Sequence, residues 1–289
     1  TMFKKDIGRG VLGFSLLAAC VLLPGLVRAE APSLSASLGF EFASGDYGTN
    51  TRTQSIYLPF TLAFAATERL GVSLEIPYVY QSNSAVNTGV ILGSGGQMAG
   101  MQKEVAAMNG GRGGSGSMSS ATPGNYGRSA SGLGDITAKA GYILVPEGEL
   151  MPRIRPYLFV KLPTGDENKA LGTGAFDEGG AVEVFKQMDR WYTFAEAGYT
   201  FQGHSSVLPL KDYVSFNAGI GHAVTDVLLP MLVVKTSTAP IEGASQLVET
   251  RLKLKYLVTG RTSIEGYLGK GWTRSSADYG SGIAIFYDF

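Results

Sequence analysis

The sequence has 289 residues, with 24 basic and 24 acidic side chains, so its formal net charge is zero. This balance offers no basic surface for nucleic acid. Glycine is frequent, at 40 residues, and tyrosine and phenylalanine each occur 14 times, whereas cysteine occurs once. That cysteine lies in a predicted leader, so we expect no disulfide framework and no thiolate metal site, and we predict no cofactor.

The first 29 residues have the pattern of a secretory signal peptide. Basic residues precede an apolar run over 11–26, and a small-residue cleavage site follows at once. A membrane helix is an alternative, but Pro24 leaves the run short of the ~20 residues that a span requires. Lipid attachment at Cys20 is a second alternative, because the preceding residues resemble a lipoprotein signal. We predict that the mature chain covers 30–289.

Apolar and polar side chains then alternate with a period of two, which predicts strands with one apolar face. The first three strands are predicted over about 34–43, 56–64 and 70–80. Pro59 and Pro77 fall within the second and third strands. Because proline lacks the N–H that a strand ladder requires, we expect a bulge or a local gap at each.

The segment 81–131 interrupts this alternation and is rich in glycine, serine and methionine. It is either a disordered extracellular loop or an inward-folded plug that carries a short helix and gates the lumen. A copper site formed by its methionines is a third idea, which a few methionines support only weakly.

The alternation resumes at Gly132 and continues to the end of the sequence, giving about twelve strands in total. The stretch 227–234 is apolar on both faces, so its orientation is not readable. Short turns alternate with long loops along the chain, as in outer-membrane barrels, where short turns are periplasmic and long loops extracellular. We therefore predict an all-β, transmembrane antiparallel β-barrel.

Charged residues occupy the face opposite the apolar rows. On the lipid face each would cost ~2–4 kcal/mol near the midplane, so we assign them to the lumen. They either pair as structural contacts in a narrow barrel or form a polar channel wall. Arg251, Lys253 and Lys255 follow one another on one strand and are the best candidates for contacting an anion. The predicted lumen-lining residues are Glu41, Glu75, Lys139, Arg153, Arg155, Tyr157, Lys161, Glu183, Glu196, Glu249, Arg251, Lys253, Lys255 and Glu265.

An outer-membrane lipid hydrolase is the competing class of protein. The sequence has two histidines, His204 and His222, and Ser205 follows the first of them. Adjacency in sequence does not form a triad, and no spacing supplies a partner acid. Two histidines without supporting carboxylates also make a poor metal site. We predict no enzymatic activity.

The last ten residues place Ile283, Ile285, Tyr287 and Phe289 on one face. They resemble the C-terminal signal that bacterial outer-membrane barrels present to their assembly machinery, although Ala284 replaces the usual glycine. This resemblance implies that machinery as a partner, beside the lipid of the bacterial outer membrane.

Two further motifs, Gly-Leu-Gly-Asp-Ile at 132–136 and Val-Lys-Leu-Pro-Thr-Gly-Asp at 160–166, resemble markers of a family of outer-membrane barrels. That family is known as transporter or meta-pathway of phenol degradation proteins. The resemblance implies passage of hydrophobic or aromatic compounds. In both motifs we expect the aspartate, Asp135 or Asp166, to cap a turn. We predict a passive channel for small solutes; the alternatives are a blocked structural or partner-docking barrel and the hydrolase.

Overall fold

A computed structural model describes most of the predicted barrel. The predicted signal peptide, and residues 84–127 of the predicted long loop with its plug, helix and copper alternatives, lie outside the described residues. The described ranges are 33–48, 51–83, 128–206 and 208–289.

The strands of the described residues form one antiparallel sheet. β4 and β5 pair with the two ends of β3 and together fill one position in the wall. Because β1 pairs with both β2 and β13, the sheet closes into a barrel with twelve positions, which confirms the predicted fold. The strands are β1 (Ser33–Gly45), β2 (Thr53–Ala65), β3 (Leu70–Gln81), β4 (Ala130–Leu133), β5 (Ile136–Tyr142), β6 (Arg153–Leu162), β7 (Asp177–Met188), β8 (Trp191–Phe201), β9 (Tyr213–His222), β10 (Leu228–Ser237), β11 (Leu247–Leu257), β12 (Thr262–Gly271) and β13 (Tyr279–Asp288).

In contrast to a soluble protein, the barrel exposes its large apolar side chains and buries its charged ones. Large apolar side chains are exposed on the outside, including Leu38, Ile283 and Ile285, at 55%, 56% and 47%. Charged side chains on the inside, such as Lys253 and Glu265, are buried. Acyl chains are the medium in which such an outer face is stable, and lipid-facing aromatic residues lie near both ends, as in membrane barrels. They include Tyr80, Trp272 and Tyr279 at one end and Tyr142, Trp191, Tyr256, Tyr287 and Phe289 at the other.

The connections differ in length at the two ends of the barrel. Four of those at the periplasmic end are short turns, at 66–69, 189–190, 223–227 and 258–261. The fifth connection, 143–152, is longer, although Leu144 and Val145 extend the hairpin into it by bonding to Ile154. The longer connections at the opposite end include 163–176, which contains a 3-10 turn at Glu167–Lys169. The described residues contain no helix long and apolar enough to cross a membrane.

Both predicted disturbances at proline are present. Pro59 and Pro77 lie directly opposite each other in the β2–β3 pair. The β1–β2 ladder skips the position at Pro59, while its register is unchanged on either side. Beside Pro77 the register of β3 shifts by one residue between β5 and β4, which marks a bulge. The missing donors of proline account for both features.

Candidate functional site

The fourteen predicted lumen residues all lie on the inner face of the barrel. Ten of them are buried, and Tyr157, Glu183, Glu196 and Glu249 are partly buried. They form separate clusters rather than one continuous charged surface, so each cluster is described in turn.

The first cluster joins β6 to β7. Arg153 and Arg155 each donate to one oxygen of Glu183, over 3.0 Å in both cases. The Arg153 guanidinium also lies 4.6 Å from the centroid of the Phe185 ring. Two cations therefore share one carboxylate, and the cluster has a net positive charge.

A second cluster lies on the opposite wall and joins side chains of β11, β12 and β1. Arg251 Nε donates to Glu249 over 2.6 Å, and its Nη1 lies 3.7 Å from Glu41. The Tyr267 hydroxyl donates to the same Glu41 carboxylate over 2.8 Å. The guanidinium lies 4.1 Å from the centroid of the Tyr267 ring. Two carboxylates surround one cation here, so this cluster has a net negative charge.

The two remaining cations of β11 have different partners. Lys253 forms an ion pair with Glu265, and both side chains are almost fully buried. Lys255 Nζ lies 5.9 Å from the centroid of the Phe286 ring. The three cations that the sequence placed in a row are thus each engaged with groups on neighbouring positions of the wall.

The two sequence motifs meet at the outer end of the lumen. Lys161 Nζ lies 3.0 Å from Asp135 and 2.7 Å from Asp177, and it also donates to the Thr173 hydroxyl. The Asp135 carboxylate in turn accepts hydrogen bonds from the backbone N–H groups of Gly165 and Thr173. We call Asp135, Lys161, Thr173 and Asp177 the latch, because they tie the connection 163–176 to the wall.

The latch corrects one of our expectations about the motifs. Asp166 caps its turn as predicted, by accepting from Asn168 N over 3.1 Å. Asp135 does not cap a local turn; it is 6% exposed and binds a segment some thirty residues further along the chain. The sequence gives no sign of this long-range contact. Close packing explains why position 165 is a glycine, because a Cβ there would lie 2.7 Å from the Leu171 carbonyl oxygen.

The connection 163–176, which we call the outer lid, turns into the barrel beyond the latch. Leu171 is 1% exposed and packs in a cluster with Tyr47, Tyr57 and Val79. Gln81 Nε2 donates to the Lys169 carbonyl over 3.0 Å. An apolar side chain of the β6–β7 connection therefore packs against side chains of β2 and β3 at the outer end of the lumen.

Apolar side chains also line part of the periplasmic half. Phe185, Tyr192, Leu229 and Met231 form one buried cluster on β7, β8 and β10. The last two settle the orientation of the stretch that was apolar on both faces, because alternation from them places Leu228, Leu232 and Val234 outside. Taken with the charged clusters, this apolar cluster shows that both apolar and charged side chains line the lumen.

The orientation of β10 reveals an inward residue that the sequence analysis missed. Lys235 is 3% exposed, and its Nζ has no hydrogen-bond partner among the described residues. It lines a cavity of about 30 Å³ whose lining residues come from every strand between β5 and β11. A cation on the lipid face is costly, so the position of Lys235 could itself have fixed the orientation of its strand.

The two histidines lie apart from these interior clusters. His204 is exposed, whereas Ser205 is buried and its hydroxyl accepts from Leu208 N over 3.3 Å. His222 packs against Trp191, with ring centroids 4.6 Å apart, near the periplasmic end. Among the described residues, no group of three or more His, Cys, Asp or Glu side chains is arranged to hold a metal ion.

The family to which the chain belongs follows from its sequence over β3 to β13. Residues 78–289 match the family model described as putative MetA-pathway of phenol degradation. The chain is a member of that family. The matched segment contains both motifs and thus the whole latch. No curated protein matches the chain at the level of sequence.

The chain is similar in fold to solved outer-membrane barrels. An outer membrane channel from Pseudomonas putida F1 has a TM-score of 0.62 at 13% identity, over 93% of this chain and 100% of that one. KdgM porin has a TM-score of 0.49 at 8% identity, over 88% and 99%. The toluene transporter TbuX from Ralstonia pickettii has a TM-score of 0.42 at 13% identity, over 94% and 92%. The first likeness shows a shared fold, and the chain is a bacterial outer-membrane protein.

Proposed function

We propose that the protein is a passive channel for small solutes, including hydrophobic or aromatic compounds. The observation that carries the proposal is the position of Leu171: a loop, and not a strand, brings this apolar side chain against β2 and β3 at the outer end of the lumen. A loop can leave the lumen without breaking the sheet, and such movements are a common form of gating. The described wall below it combines charged groups with inward aromatic rings.

A blocked structural barrel is the second candidate. The ion pairs of Lys253 with Glu265 and of Arg251 with Glu249 favour it, because paired charges also serve as internal contacts in a narrow barrel. A docking role for such a barrel would depend on its outer loops. The two candidates differ in whether the lumen conducts.

Planar-bilayer recording on the purified protein tests the channel directly. We expect discrete conductance steps from the wild type, and passage of small neutral aromatic solutes into proteoliposomes. Absence of both, in wild type and in a variant that shortens the outer lid, would reject the channel and favour the blocked barrel. Lipase assays on the same samples, with His204→Ala as the control, address the hydrolase; we expect no activity.

We also propose that β13 is the segment presented to the barrel assembly machinery. Its outward apolar row ends at Phe289, whose N–H donates to the Leu34 carbonyl at the closing seam with β1. Removing the terminal ring by Phe289→Ala should lower the folded fraction in the outer membrane. The assay is heat-modifiable mobility of membrane fractions, with Phe201→Ala as a matched outward-facing control; equal folded fractions would reject this role.

A further inference from the structure

Lys235 is the feature of the lumen that neither the latch nor the ion pairs account for. Glu249 and Asn217 lie directly opposite it on the neighbouring strands. The Glu249 carboxylate, however, binds Arg251, and the Asn217 amide donates to Glu196 over 2.8 Å. Both neighbours of Lys235 are therefore engaged, and its ammonium group faces the cavity without an acceptor among the described residues.

Burying an ammonium group without a partner is costly, and proteins normally avoid it. The neighbouring Ser237 hydroxyl is also buried and has no hydrogen-bond partner among the described residues. Two donors two residues apart on β10 thus face the same space. An acceptor with negative charge, entering that space, would satisfy both of them.

The cavity has the size and the lining for such a group. Its volume of about 30 Å³ exceeds the ~10–15 Å³ that one water molecule requires, so it has room for a group larger than one water molecule. A second ammonium, that of Lys139, lines it and lies 5.7 Å from the centroid of the Tyr157 ring. The rings of Tyr157 and Phe159 line the same space, beside the cations.

The two carboxylates of the lining do not reverse this preference. Glu196 accepts a hydrogen bond from Asn217 over 2.8 Å, and Glu249 is bound by the Arg251 guanidinium. The Glu249 charge is paired with that of Arg251, so Glu196 is the one lining carboxylate without an ion pair among the described residues. Because it stands against two ammonium groups, a cationic ligand would meet a lining of net positive charge. The surroundings favour an anion that also has an apolar, planar part.

We propose that this cavity binds the carboxylate of an aromatic monocarboxylate, with the ring against Tyr157 and Phe159. The inference rests on the proposed channel function, for which it names the class of solute. Lys235 supplies the charge-assisted hydrogen bond, and Ser237 supplies a second donor. A charge-assisted bond of this kind contributes enough to change a selectivity ratio by about tenfold.

The test compares benzoate with benzamide, its neutral counterpart of nearly the same shape. Proteoliposomes with wild-type protein should take up benzoate faster than benzamide, and Lys235→Met should lower that ratio by about tenfold. Lys255→Met is the matched control, because it removes an equally buried lumen cation that does not line the cavity. We expect Lys255→Met to retain the benzoate preference, and a loss equal to that in Lys235→Met would overturn the site.

Calorimetric titration of benzoate into detergent-solubilised protein separates the site from the channel. Binding to wild type that is lost in Lys235→Met supports the site even without flux, in which case the channel proposal fails alone. Flux of both solutes with no benzoate preference and no binding overturns the site and leaves the channel. Binding of chloride with no binding of benzoate would also overturn it. If Lys235→Met does not fold, as judged by heat-modifiable mobility, Ser237→Ala should lower the same ratio by a smaller factor.

Discussion

Two lysines on facing parts of the wall, Lys161 and Lys235, differ in how their charges are satisfied. Both are at least nine-tenths buried, and both lie in the outer half of the lumen. Lys161 contacts two carboxylates and a hydroxyl, whereas the Lys235 ammonium has no hydrogen-bond partner among the described residues. The comparison separates a cation that holds the fold together from one that is available to a ligand.

The largest expected effect comes from breaking the satisfied cation. Lys161→Met leaves Asp135 and Asp177 buried without a counter-charge, and such a loss typically costs ~3–5 kcal/mol. We expect a clear drop in the free energy of unfolding, measured by urea titration in detergent with tryptophan fluorescence. The latch would be no stabilising element if Lys161→Met unfolded at the wild-type urea concentration.

The same substitution at the other lysine should act in the opposite direction. Lys235→Met removes a buried charge that no group in the described part of the chain hydrogen-bonds, and methionine fills similar space. We expect no loss of stability, and a small gain in the same urea titration. A destabilisation comparable to that of Lys161→Met would contradict the contrast between the two sites.

A third, intermediate effect concerns the outer lid that the latch holds. Leu171→Ala removes most of a fully buried side chain, for which core substitutions cost ~2–5 kcal/mol. If about 1.4 kcal/mol of this shifts the lid equilibrium, the open population rises about tenfold. Single-channel recording should show longer open times, whereas Leu162→Ala on the outer face of β6 should not change them. Unaltered gating in Leu171→Ala would show that the lid does not limit conduction.

These contrasts also show where sequence reasoning succeeded. Alternation of side chains predicted the barrel and its inner face, because residues that face lipid are apolar and their neighbours that face the lumen are polar. It missed Lys235, because β10 is apolar on both faces up to that residue. It also misread Asp135, because a turn-capping aspartate and one that binds a distant loop have the same local sequence. The inward position of Leu171 depends on that distant contact, and no periodic pattern in the sequence predicts it.

The smallest expected effect lies on the exposed side of the outer lid. Asp166 pairs with Lys169 over 3.0 Å, and the hydrogen bond from Lys169 lowers the pKa of Asp166 below its usual 3.8. A lowered pKa means that this contribution to stability is present above the unfolded pKa and is lost as the pH falls through the folded one. Exposed pairs contribute only ~0–1 kcal/mol.

Asp166→Asn should therefore lower the thermal midpoint slightly at neutral pH and not at all in acid. Asparagine can still cap the turn, so the comparison isolates the charge. A difference from wild type that grew as the pH fell would contradict the assignment.

Tyr57, which lies beside the facing prolines of β2 and β3, makes two separate contacts inside the barrel. The Tyr57 hydroxyl donates diagonally across the inner surface to Glu75 over 2.6 Å, and this bond links β2 to β3 beside Pro59 and Pro77. The ring of Tyr57 simultaneously packs in the cluster that holds Leu171. One side chain therefore both links β2 to β3 and contacts Leu171 of the outer lid, so we expect a movement of the lid to change the packing around this link.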